Sequence, residues 1–159
     1  MFQRTFATQF ALALAFALLL FVSISPTPAQ GTPQTHTPSP ASAERRRIMD
    51  ALRAPVAKEL KQKVVFEVSR LSVLNGGAFL NGVPRPPGGK PIDYSCTPYA
   101  EAKKEGMFDD GIMALLKRTP KGKWTVVTYA LGPTDVPYVD WDRRYHAPRA
   151  IFGLPPGAR

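Results

Sequence analysis

A chain of 159 residues with a single cysteine, 17 prolines and a formal charge of +9 excludes several classes at the outset. One cysteine forms no internal disulfide, so the core has to hold by packing alone, and the size left after the termini is enough for one domain with a modest core. The charge points to anionic counterparts, but the basic residues are scattered, only Arg45-Arg46-Arg47 forms a run, and no nucleic-acid motif accompanies it.

Arg4 precedes an apolar run from Phe10 to Val22, and small or turn-forming residues follow to Gln30. That order is the pattern of a secretory signal peptide, with Thr27 and Ala29 as the small residues before a cut ahead of Gln30. The run is short for a bilayer span and no second one follows. The expectation is a signal peptide over residues 1–29, and a periplasmic or secreted monomer with no transmembrane segment after processing. Residues 30–42 hold prolines and hydroxyl residues and no large apolar side chain, which reads as a disordered linker.

A single α+β domain is expected over residues 43–153. Ile48, Leu52, Val56 and Leu60 recur every four residues, which places them on one face of a helix. Ser42 is its expected cap, and Pro55 is expected to kink or split it near Arg53-Ala54. Val64–Val73 has the β-branched and aromatic content of a strand, Asn75-Gly76-Gly77 is a turn, and Ala78–Val83 returns antiparallel. The stretch Pro84 to Pro91 is an exposed loop. Thr97-Pro98 opens a short helix through Ala102 that ends at Gly106. Ile112–Leu116 and Trp124–Leu131 form a second hairpin about Pro120-Lys121-Gly122.

Strict alternation in the last strand puts Trp124, Val126 and Ala130 on one face and Val127, Tyr129 and Leu131 on the other. Both faces are therefore substantially apolar. One face takes the helix; the second needs a cover, or lines a ligand groove or partner site. Val136, Tyr138, Trp141, Tyr145, Ile151 and Phe152 could wrap across it, with Asp140 capping a turn of helix through Tyr145. Residues 154–159 read as a flexible tail.

The stretch Lys121 to Trp141, KGKWTVVTYALGPTDVPYVDW, resembles the end of a group of small exported bacterial proteins of unknown activity. ALRAPV, Ala51 to Val56, and AFLNGVPRPPGG, Ala78 to Gly89, are similar to the same group. The resemblance covers residues 44–152 and implies no catalytic residue, cofactor or ligand. A helix followed by an antiparallel meander also resembles the cystatin or NTF2-type arrangement, which implies a curled four-stranded sheet around the helix.

Candidate functional residues fall in three places. The Pro84–Pro91 loop carries Arg85 and Lys90. The C-terminal segment carries Tyr138, Trp141, Arg143, Arg144, Tyr145 and His146, where flat rings beside guanidiniums suit an anionic glycan or a protein partner. Lys103-Lys104 and Lys117-Arg118 could extend a positive rim. No spacing matches a metal loop, no phosphate-cradling loop is present, and no catalytic residue or cofactor is assigned. The reading these residues support is an exported binding or accessory module, more a binder than an enzyme, which contacts an anionic envelope polymer or an envelope protein. Two alternatives stay open. One is a thiol enzyme or small hydrolase using Cys96, His146 and Asp140 or Asp142; the other is an inhibitor that wedges the 84–91 loop into its target.

Overall fold

The computed structural model describes residues 34–155; the expected signal peptide and the end of the expected tail lie outside them. Helix α1 (Ala43–Leu60) begins where Ser42 Oγ accepts from the Arg45 amide at 3.2 Å. Its four-residue repeat is the buried face: Ile48, Leu52, Val56 and Leu60 are all within 1 % of full burial. Pro55 does not split the helix, which runs unbroken to Leu60 and ends at Lys61 in the left-handed region.

Strands β1 (Val65–Leu74), β2 (Gly77–Arg85), β3 (Ile112–Arg118) and β4 (Trp124–Leu131) pair antiparallel in chain order. Between the two hairpins lies a long connection with the short helix α2 (Ala100–Lys104). After β4 the chain forms one turn of helix, α3 (Trp141–Arg144), and a 3-10 turn at Arg149–Phe152. Asp140 precedes α3 without a side-chain capping bond. Upstream of α1 the chain is tied to the sheet: the His36 amide donates to the Val73 carbonyl at 2.9 Å, and the Val73 amide donates back at 2.8 Å.

The sheet is flat and is not curled about the helix, which overturns the expected cystatin or NTF2-like shape. The physical reason is that both faces are covered. On one face α1 packs with Leu71, Ala78, Leu80, Ile112 and Leu116. On the other, the C-terminal segment lays Trp141, Ala147, Ile151 and Phe152 over Leu74, Phe79 and Leu115. A sheet held between two apolar layers gains nothing by closing around one of them.

The imperfect alternation of β4 has a local cause. Leu115 pairs with Thr128 but Leu116 pairs with Val126, so Val127 is an extra residue in the ladder. The bulge inverts the parity beyond it. Trp124, Val126, Tyr129 and Leu131 therefore all face α1, while Val127 packs under the C-terminal segment; strict alternation had divided these residues differently. A matching irregularity lies between Val68 and Arg70 in β1. There the Glu67 carbonyl presses so closely on Gly82 that a Cβ at that position would strike it.

Candidate functional site

The expected C-terminal site does not form one surface. Trp141 is 5 % exposed and belongs to the second core cluster. The Tyr138 ring lies 4.8 Å from that of Phe79 and 5.9 Å from that of Phe152. Tyr145 is half-buried against the same cluster, and Lys117 Nζ donates to its carbonyl. Arg143, Arg144 and His146 remain exposed; Arg144 stacks on Tyr145, 5.5 Å from guanidinium to ring centre. Arg85 pairs with Glu67 at 3.2 Å at the other end of β2, and Lys90 stands exposed in the loop after it. His146 borders the β1–β2 turn, so the length of β2, on the order of 25 Å, separates it from Arg85.

Cys96 and His146 are likewise not brought together. Cys96 is exposed on the loop before α2. That loop is held through Tyr94, whose ring packs 5.0 Å from Phe108, near the Gly132 end of the sheet. His146 sits at the Gly77 end of the sheet. Asp142 is engaged elsewhere: its Oδ2 accepts from Arg149 at 2.7 Å, and this bond holds its carboxyl below the usual carboxylate range. No thiol–imidazole–carboxylate set arises from these positions.

What the fold does assemble is a cleft between α1 and the β3–β4 hairpin, of about 900 Å³. Its floor is small and apolar, with Ala51, Ala54 and Pro55 from the helix and Val126 from β4. Its rim carries Arg47, Arg118, Lys121 and Lys123, all exposed. Among the described residues none of these four cations forms an ion pair, whereas the one acid of the lining, Asp50, is paired with Arg53. The cleft is thus a concentration of uncompensated positive charge beside an apolar floor.

Local structure accounts for this placement. The β3–β4 turn is closed by the Gly122 amide donating to the Thr119 carbonyl at 2.8 Å, with Gly122 at φ +79°. The Thr119 amide in turn donates to the Lys123 carbonyl at 2.8 Å. These bonds hold Lys121 and Lys123 at the cleft mouth. The Arg118 side chain lies against the same turn, since a Cβ on Gly122 would sit 3.5 Å from Nη2. In the helix, Pro55 has no N–H, so the Ala51 carbonyl loses its helical partner where it borders the cleft.

A second hollow of about 520 Å³ adjoins the first through Arg118 and adds Lys117 and His146. His146 is in the left-handed region at φ +50°. The Arg118 amide donates to the Gly76 carbonyl at 2.7 Å and joins the two hairpins there. The second hollow lies toward the C-terminal segment, which covers the other face of the sheet from α1, and of the expected residues it includes His146, Lys117 and Arg118.

In the sequence Arg47 belongs to a basic run, and Lys121 and Lys123 are scattered charges. The usable signal was the helix stripe Arg47, Ala51, Ala54, Pro55, whose small side chains let another element approach closely. Among the described residues no helix is long and apolar enough to cross a membrane. Comparison with known proteins finds no matching family model, no similar curated protein and no similar solved structure. The resemblance to a group of exported bacterial proteins therefore falls away as an identification, and the described structure adds no support for secretion.

Proposed function

We propose that this protein is a binding module whose basic cleft takes an anionic partner. The observation that carries this is the convergence of Arg47, Arg118, Lys121 and Lys123, without carboxylate partners, around an apolar floor. Mobile surface cations repel one another, and bringing four to one cleft favours whatever supplies the opposite charge. The spread of these four cations over α1 and the β3–β4 turn supports an elongated partner over a single small ion.

The N-terminal pattern, Arg4 with its apolar run and the small residues before Gln30, supports an envelope polymer or envelope protein as that partner. A mature chain starting at Gln30 in cell fractions is the expected mass-spectrometric result; an intact cytoplasmic chain removes the envelope from the proposal.

The binding claim is tested with heparin as a polyanionic probe. The wild-type protein binds it and loses affinity as salt rises. A variant with Arg118→Ala, Lys121→Ala and Lys123→Ala elutes from a heparin column at much lower salt. Lys103→Ala with Lys104→Ala, at the far end of the sheet, changes little. Losses in proportion to the three and two charges removed would mean that net charge alone acts and that the cleft is not the site.

A further inference from the structure

The cleft opens beside a free sheet edge. Strand β4 pairs with β3 on one side; among the described residues no backbone group of Trp124–Leu131 makes a backbone hydrogen bond on the other. The run WTVVTYAL contains no charge and no proline, so it lacks two of the devices that usually protect an edge. The opposite edge is defended: β1 carries Glu67 and Arg70, and its Val73 is already paired with His36. The bulge at Val127 divides the β4 edge, leaving Thr128–Leu131 as its regular part, while Thr125 and Val126 line the cleft.

We infer that the partner in the basic cleft is an extended acidic peptide segment, which adds to the sheet as a strand beside β4. This rests on the proposed anion-binding role of the cleft. A peptide backbone offers the alternating donors and acceptors that an unpaired strand edge needs, and a glycan does not. Acidic side chains at one end of the segment meet Arg47, Lys121 and Lys123. A second copy of this chain could pair through β4, but its own β4 is uncharged and adjoins lysines, so it would bring no anion to the cleft.

The test uses the full chain, calorimetry and hydrogen exchange, with three probes. The first is a short peptide alternating Glu and Val. The second is the same peptide with alternate backbone nitrogens methylated, and the third is heparin. The first peptide binds in a salt-sensitive way and protects the amides of Thr128–Leu131, and methylation weakens it at least about tenfold, the loss expected from removing a few backbone bonds. Equal binding of both peptides, without protection of β4, overturns the strand inference and leaves the anion-binding role standing, as does binding of heparin alone. Binding of no probe overturns both. Protection of β4 with a doubled mass in the absence of peptide assigns the edge to a second copy and overturns the inference.

Discussion

The Arg70 guanidinium closes the last helical turn of the chain at Phe152. Its Nη1 donates to the Phe152 carbonyl at 3.1 Å and its Nη2 to the Ile151 carbonyl at 3.2 Å, while Nε is held by Ser72 Oγ at 3.1 Å. A cation at the carbonyl end of a helical turn satisfies acceptors that have no partner within it. Arg70→Ala is expected to lower stability by about 1–2 kcal/mol in urea denaturation and to speed proteolysis after Gly153. Arg70→Lys restores only part of this, because one ammonium does not reproduce a fork. An unchanged midpoint for Arg70→Ala would show that the C-terminal layer holds without this contact.

Trp141 and the two arginines after it are expected to separate core from surface. Trp141→Ala removes a buried ring that stacks edge-on against Phe152 and is expected to lower stability by about 3–5 kcal/mol. Arg143→Ala with Arg144→Ala stays within about 0.5 kcal/mol of wild type. Thermal melts of both variants check this; a stable Trp141→Ala protein would contradict the packing described.

Gly82 is expected not to accept a side chain. Its place opposite the β1 bulge leaves no room for a Cβ beside the Glu67 carbonyl, so Gly82→Ala is expected to lower stability by about 2 kcal/mol. Gly88→Ala, in the open loop after β2, meets nothing within 4 Å, although its φ of +101° makes it a strained control. A Gly82→Ala midpoint no lower than that of Gly88→Ala would refute the close approach.

Stability is expected to fall at both extremes of pH. The phenols of Tyr99 and Tyr129 both donate to the Glu59 carboxylate, tying the end of α1 to α2 and β4. Burial, and then the bond to Glu59, push the Tyr129 hydroxyl up to about 12. A raised folded-state value means that the contribution is complete below the unfolded value of about 10 and disappears as pH climbs through 12. Asp142 has the opposite sign: its lowered value gives stability above about pH 4 that is lost as acid protonates it. Tyr129→Phe should flatten the alkaline limb of a urea-midpoint pH series and leave the acid limb; Asp142→Asn should do the reverse.

Cys96 is expected to be alkylated in the native protein, since it is exposed. His146→Ala should leave the rate of that reaction unchanged, because the two residues lie at opposite ends of the sheet. A rate that falls on removing His146 would revive the thiol-enzyme reading.

The secondary-structure elements are legible in the chain. The repeat Ile48, Leu52, Val56, Leu60 identifies the buried face of α1, Asn75-Gly76-Gly77 marks the first hairpin turn, and Trp124–Leu131 reads as a strand, because periodicity and turn chemistry are local properties written in neighbouring residues. Three other matters depend on contacts between distant parts of the chain, which the folded structure supplies. It chose which face of β4 is which, through one unpaired residue at Val127 that composition does not reveal. Covering the second face with the C-terminal segment kept the sheet flat and took Trp141 from a candidate ligand contact into the core. It also brought Arg47 of the helix to Lys121 and Lys123 of a distant turn, and a cleft built from residues so far apart in the chain leaves no spacing to read.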